Sequence, residues 1–200
     1  MFAQVVSGSI TSFPRGNKGI EIGDVKYPAS IYSLWSESER NAIGIYTVEI
    51  DNTNRKSEEW YINTNVTYAF GSGKVTGTYG TATAKAHADT LWTQEDEDAG
   101  LGTKGDVKNE GLKTKLIRDV KSQAENILNQ TDWYVTRKAE EDTAIPSAIT
   151  THRRAVRTKQ AEMETAITNA SDTPALETLY TYTTDSDGVT TRPLGELPTL

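Results

Sequence analysis

The sequence changes its periodicity about halfway along, and this change constrains the fold more than any single motif. Residues 1–88 are rich in Val, Ile, Thr, Tyr and Gly, in short runs between turn residues, which predicts β-strands. Residues 108–182 repeat apolar side chains every three or four positions, which predicts amphipathic helices. Residues 89–107 are interpreted as an acidic linker, and residues 183–200 as a polar tail that is not expected to fold alone.

The β half is expected to contain one short helix. Ser36 followed three residues later by Glu39 is a capping box, and Gly44 is a helix stop, so a helix is predicted over 36–43. Strands are predicted over 3–6, 19–27 and 45–50, and a hairpin over 59–70 and 74–84 with Gly71-Ser72-Gly73 at its tip. In the first hairpin arm, the face predicted to be buried carries Trp60, Ile62, Thr64, Val66, Tyr68 and Phe70.

The second half is expected to contain two long helices over 109–130 and 147–169, with a short helix over 133–140 between them and another over 172–179. The apolar stripe of the second long helix consists of Ile149, His152, Val156, Gln160, Met163 and Ile167. The two halves together predict an α+β fold: an N-terminal antiparallel β region with a short helix, and a C-terminal antiparallel helical hairpin.

Composition excludes several kinds of partner and chemistry. The chain has no cysteine, which excludes disulfides, thiolate nucleophiles and zinc–thiolate sites. The net charge of −7 argues against nucleic-acid binding, and the basic cluster of Arg153, Arg154, Arg157 and Lys159 is interpreted as a solvated helix face. No apolar run approaches the roughly 18 residues of a membrane span, and the first residues lack a signal-peptide pattern. We expect neither nucleic acid nor membrane as a partner.

An apolar content of 36% is low for a compact domain. This content fits a subunit whose stability depends partly on its neighbours, and it equally fits a plain hydrophilic domain.

Catalytic motifs are missing from the sequence. The GSGK run at 71–74 lacks the spacing of a phosphate loop, and the two histidines, His87 and His152, share no motif. The acidic run at 95–98 has no calcium-loop frame and is interpreted as solvated. A polysaccharide hydrolase would need two carboxylates facing across a cleft, and nothing in the sequence indicates such a pair. We expect a protein that is not an enzyme, with no catalytic, cofactor-binding or metal-binding residues.

The densest motif is TDWYVTRKAEEDTAIPSAITTHRRAVR, over 131–157. Trp133 and Tyr134 are expected to point to different sides of the short helix, with Arg137 and Lys138 one turn later. Two interpretations stay open: a structural corner that locks two helices together, or a docking surface with aromatic and arginine anchors. The candidate interface residues are Trp133, Tyr134, Arg137, Lys138, Arg153 and Arg157.

This segment resembles one found in tail and tail-fibre-assembly-related proteins of tailed bacteriophages. The residues that match the shared pattern are Thr131, Asp132, Trp133, Arg137, Ala144, Ile145, Pro146, Arg153, Val156 and Arg157. The whole chain, including the YPASIYSLW run, is similar to virion-associated proteins of marine phages. The resemblance brings no catalytic residue with it.

The resemblance implies a structural component of the phage virion, such as a tail adaptor, a fibre-attachment protein or a baseplate-type subunit. Its partners would be other phage tail proteins and copies of itself, as a homo-oligomer within an assembly. It would lie in the virion tail, and in the host cytoplasm during assembly. The alternative is a tail-fibre assembly chaperone that is absent from the mature particle.

Overall fold

A computed structural model describes residues 1–200 and shows a mixed α+β protein, with a β-rich N-terminal region and a helical C-terminal region. The predicted α+β class is confirmed. The chain forms two compact units, Met1–Thr83 and Ala84–Leu200. The first unit contains β1 (Phe2–Val6), β2 (Ser9–Ser12), β3 (Ile20–Ile22), β4 (Val25–Tyr27), α1 (Ile31–Leu34), α2 (Glu37–Ala42), β5 (Ile45–Asp51), β6 (Tyr61–Ile62), β7 (Val66–Gly71) and β8 (Lys74–Tyr79). Strand β9 (Thr83–Ala84) lies at the boundary between the units.

The second unit contains five helices and four short strands, in the order β10 (Thr90–Leu91), α3 (Gln94–Asp98), β11 (Val107–Asn109), α4 (Leu112–Asn129), α5 (Asp132–Glu141), α6 (Ser147–Asn169), α7 (Thr173–Tyr180), β12 (Thr183–Thr184) and β13 (Thr190–Thr191).

The main sheet of the first unit has five strands in the order β2-β1-β5-β8-β7. Strand β1 pairs antiparallel with β2 and β5, and β7 pairs antiparallel with β8. Strands β5 and β8 are parallel, with Val48 opposite Val75. The sheet is therefore mixed, where the sequence predicted an antiparallel region. The long connection after Asp51 makes this possible, because parallel neighbours need a crossover of a dozen or more residues.

Each face of the main sheet is covered by its own apolar cluster. Alternation along β5 sends Ile45 to one face and Val48 to the other. Val48 packs with Ala3, Val5 and Val75, whereas Ile45 packs with two residues of α1. Those two residues are Ile31 and Tyr32, so α1 covers the second face of the sheet.

Helix α2 confirms the predicted capping box. The Ser36 hydroxyl accepts a hydrogen bond from the Glu39 backbone N–H at 3.3 Å, and the Glu39 carboxylate accepts one from the Ser36 N–H at 2.7 Å. Gly44 follows with a φ of +79°, and a Cβ at this position would lie 2.6 Å from the Val5 carbonyl oxygen. Both the backbone conformation and the close approach therefore require glycine at the end of this helix.

The hairpin tip is as predicted, but the first arm is shorter and differently oriented. Ser72 and Gly73 both have positive φ, and Gly71 pairs with Lys74, which is a tight two-residue turn. The Asn63 side chain bonds the backbone N–H and carbonyl of Lys56 and stands between β6 and β7. This break ends the alternation. Trp60 is buried as predicted, but Tyr61 is also buried and Ile62 is 60% exposed, so the predicted face is wrong in β6. Along β7 the predicted face is correct at Val66 and Phe70, which are half-buried, and Phe70 packs against the core cluster of Val48 and Val75.

Helices α4 and α6 pack against each other in the second unit. Lys113 donates a hydrogen bond to the Thr168 carbonyl at 2.8 Å, and Lys121 forms an ion pair with Glu164 at 3.5 Å. The buried residues of α6 are Ile149, Arg153, Val156, Met163 and Ile167. Arg153 therefore occupies the buried stripe, whereas the predicted stripe residue His152 is only half-buried.

The segment predicted as an acidic linker contains β10, α3 and β11. Strands β10 and β11 pair antiparallel, and half-buried Trp92 packs so closely on Gly102 that a Cβ there would lie 2.5 Å from the indole. Lys108 lies over the same indole ring, 4.5 Å from its centroid. These contacts fold the segment into a structured connection.

The C-terminal tail is also ordered within the second unit. Strands β12 and β13 pair antiparallel, and the Leu194 side chain is buried. The Leu194 N–H donates to the Leu179 carbonyl at 3.0 Å, which ties the tail to the end of α7. The Arg192 guanidinium lies over the rings of Tyr180 and Tyr182.

Candidate functional site

Helix α5 carries four of the six candidate interface residues. The helix ends at Asp142, whose φ of +56° places it in the left-handed conformation. The Lys138 ammonium forms an ion pair with the Asp142 carboxylate, one turn away. This contact of a lysine in the last turn with the capping residue helps to end the helix. Lys138 is therefore engaged locally, although its side chain is exposed.

Arg153 fixes the joint between three helices. Its Nη1 atom donates to the Leu128 carbonyl at 2.7 Å and to the Thr131 hydroxyl at 2.7 Å, and its Nη2 atom pairs with the Asp132 carboxylate at 2.7 Å. The residue is only 8% exposed. A buried charge is tolerated when its donors are satisfied in this way. Arg153 thus holds the end of α4 and the start of α5 against α6, as the structural-corner interpretation expects. We call this set of contacts the Arg153 clamp.

Trp133 and Tyr134 stack on each other. Their ring centroids lie 3.9 Å apart with an interplanar angle of 33°, so the expectation that they point to different sides is wrong. The Arg137 guanidinium lies 4.7 Å from the Trp133 centroid and 5.5 Å from the Tyr134 centroid. Arg137 is three and four residues after the two rings, so one cation reaches both and draws them together. We call these three residues the aromatic stack.

The aromatic stack reaches solvent through Trp133, whereas Tyr134 and Arg137 are half-buried. Trp133 is 52% exposed, and Val135 nearby on the same helix is also exposed. Large apolar side chains at the surface together with an arginine are the residue types that dominate protein–protein binding energy. The stack is therefore the part of the candidate set best suited to contact a partner.

Arg157 lines a groove formed by α5, α6 and the segment that joins them, which we call the arginine groove. The groove has a volume of about 510 Å³, with Val135, Ile145, Arg154 and Arg157 among its lining residues. Neither Arg154 nor Arg157 forms an ion pair, and both are exposed. Arg153 also lines this groove, so the six predicted residues fall into three places: the stack, the end of α5, and the groove with Arg153 and Arg157. Arg154 was not among the candidates, although the Arg153-Arg154 doublet was a signal for it.

The acidic run at 95–98 builds a second capping box. The Thr93 N–H donates to the Asp96 carboxylate at 3.0 Å, and the Lys108 ammonium contacts it at 2.9 Å. These contacts, with the Thr93 hydroxyl, lower the pKa of Asp96 to about 2, the Thr93 backbone bond having the largest effect. Asp96 therefore has a structural role at the start of α3.

The remaining sequence candidates lie apart from one another. His87 and His152 are both half-buried, His87 before β10 and His152 on α6. No group of three or more His, Cys, Asp or Glu side chains is placed to hold a metal ion. None of the helices combines the length and apolar character needed to cross a membrane.

The fold and the surfaces described above define a two-unit α+β protein with an exposed aromatic stack and a separate arginine groove. No protein-family model, no curated protein and no solved structure matches the chain.

Proposed function

We propose that this chain is a structural component of a tailed-bacteriophage virion, of tail adaptor, fibre-attachment or baseplate type. It works by protein–protein assembly and is not an enzyme. The observation that carries the proposal is the exposed aromatic stack on α5, because it lies inside the segment that resembles phage tail proteins.

The geometry of the stack supports a binding role. Arg137 already holds Trp133 and Tyr134 in one arrangement, so a partner would not have to order these side chains on binding. The Arg153 clamp fixes the base of the same helix. A pre-ordered aromatic and arginine surface on a rigid base is favourable for assembly.

The finer fold proposal is that α4 and α6 act as an antiparallel helical hairpin that presents α5. The contacts of Lys113 with Thr168 and of Lys121 with Glu164 support opposed chain directions, because one residue number rises as the other falls. In this arrangement the hairpin is the support and α5 is the contact element. The partners are other tail proteins and further copies of the chain.

Mass spectrometry of purified, salt-washed virions from the parent phage tests the proposal. We expect peptides of this chain at a fixed ratio to known tail proteins, which would place it in the virion tail. Lysate of infected cells should contain the same peptides, because assembly takes place in the host cytoplasm. Presence in the lysate with absence from washed particles would contradict the proposal and support the alternative, a tail-fibre assembly chaperone.

A further inference from the structure

The arginine groove presents an unused pair of positive charges. Arg154 and Arg157 are three residues apart on α6, so they lie on one helix face about 5–6 Å apart at Cβ. Neither side chain takes part in an ion pair or hydrogen bond within the chain. Val135 and Ile145 provide apolar surface beside the two guanidinium groups.

Helix α3 presents the opposite arrangement within the same unit. Glu95 and Asp98 are also three residues apart on one helix face, and both are exposed. Neither carboxylate forms an ion pair, and Asp98 accepts only a hydrogen bond from the Gln94 amide at 2.9 Å. The chain therefore carries two exposed charge pairs of opposite sign and equal spacing that do not satisfy each other internally.

We infer that the arginine groove of one copy binds helix α3 of a second copy, with Arg154 and Arg157 facing Glu95 and Asp98. The inference rests on the proposed function, since it names the contact by which copies of the subunit assemble. The matched spacing allows two ion pairs to form together, so they both attract the two copies and fix their relative orientation. Val135 and Ile145 add apolar contact at the edge of the charges.

The contact joins two different surfaces, so it is head-to-tail. A heterologous contact leaves one groove and one α3 open in every dimer, and further copies add until a ring closes or a filament grows. A symmetric two-fold dimer does not follow from this arrangement. Nucleic acid is a poorer occupant, because the net charge of −7 repels a phosphate backbone along the rest of the chain.

A reciprocal charge swap on the full chain tests the inference. One variant carries Arg154→Glu and Arg157→Glu, and the other carries Glu95→Lys and Asp98→Lys. Each variant alone places like charges at the contact, so we expect its self-association constant to weaken roughly tenfold or more relative to wild type. An equimolar mixture restores opposite charges at every contact and should assemble again, as measured by sedimentation velocity.

The mixture separates the inference from simple damage to the fold, because two misfolded variants would not rescue each other. The matched control for the arginine variant is Arg15→Glu with Lys18→Glu, which makes the same change of net charge on exposed residues of the first unit. This control should associate like the wild type. Circular dichroism should show the same thermal transition for all the variants.

Three outcomes would overturn the inference: a wild-type chain that stays monomeric, variants that associate as well as wild type, or a mixture that fails to assemble. Binding of duplex DNA that depends on Arg154 and Arg157, with self-association unchanged, would also overturn it. The virion experiment is independent. If the chain is present in the particle but the charge swaps have no effect, the proposed function stands and the inference fails. If the chain assembles in solution as inferred but is absent from the particle, the inference stands and the proposed function fails.

Discussion

The interior of each unit is stabilised by a different mixture of interactions. In the first, apolar clusters cover both faces of a sheet, and the edge strands approach each other where Phe13 contacts Tyr68, with ring centroids 4.7 Å apart. In the second, several joints are polar: the Arg153 clamp is one, and the Asp89 carboxylate is another. Asp89 accepts hydrogen bonds from the Gly111 N–H at 2.7 Å and the Thr114 hydroxyl at 2.8 Å at the start of α4.

The two units should therefore tolerate different kinds of substitution. Apolar contacts are non-directional, so a sheet core accepts substitutions that keep volume. A clamp such as that of Arg153 depends on direction, because each donor needs its acceptor in place. The first unit should therefore respond mainly to lost volume. The second unit buries apolar side chains such as Val156 and Met163 as well, but its joints should respond to lost hydrogen bonds.

The largest effect is expected from Ile45→Ala. Ile45 is fully buried in the cluster beneath α1, so truncation leaves a cavity that should cost about 4 kcal/mol of unfolding free energy. Urea denaturation measures the loss. The control is Ile50→Ala at an exposed position of the same strand, which should cost about 1 kcal/mol or less. Equal losses for the two variants would contradict the assignment of the core.

Arg153→Ala should be nearly as damaging, although it removes a charged residue. The substitution takes the guanidinium partner away from the Thr131 hydroxyl and the Asp132 carboxylate, and we expect a loss of about 3 kcal/mol. The Leu128 carbonyl loses one of its donors but keeps the Thr131 N–H and hydroxyl. Hydrogen exchange should show the loss of protection in α4 and α5. Arg157→Ala, one turn later and exposed, is the control and should change stability by under about 0.5 kcal/mol. A harmless Arg153→Ala would mean that the joint is held by apolar packing.

Local signals in the sequence predicted the fold well, and distant pairings were not predictable. The box of Ser36 and Glu39 is complete within four residues, and so is the cap at Asp172, whose carboxylate accepts from the Ala175 N–H. Strand periodicity, in contrast, carries no information on which strand becomes a neighbour, so the parallel pairing of β5 with β8 was missed.

The same limit applies to the candidate site. Residues 131–157 were interpreted from the sequence either as a helix corner or as a docking surface, and neither interpretation predicted that Arg153 finds its acceptors 22 and 25 residues earlier in the chain. Only the folded arrangement shows that it faces inward. Stacking of Trp133 on Tyr134 was missed because helical geometry alone separates adjacent side chains, and Arg137 draws the rings together.

A smaller and pH-dependent effect is expected from Asp96→Asn. The pKa of Asp96 is about 2 in the folded chain against an ordinary value of 3.8, so its stabilising contribution is present above pH 3.8 and disappears as the pH falls towards 2. Wild type and variant should therefore differ in melting temperature at pH 7 and converge near pH 2. Glu95→Gln, in the same helical turn, is the control, since Glu95 accepts no capping bond. A difference that stays constant with pH would contradict the role of the charge.

The smallest effect on stability is expected from Trp133→Ala. Trp133 is half exposed and contributes mainly its contact with Arg137, so its loss should cost under about 1 kcal/mol. If the aromatic stack is an assembly surface, particles made with the variant should nevertheless contain much less of the chain. Leu34→Ala removes an even more exposed apolar side chain in the first unit and is the matched control, with incorporation unchanged. Full incorporation of Trp133→Ala would leave the stack as part of the corner alone, because a binding hot spot loses affinity on truncation even where the fold does not change.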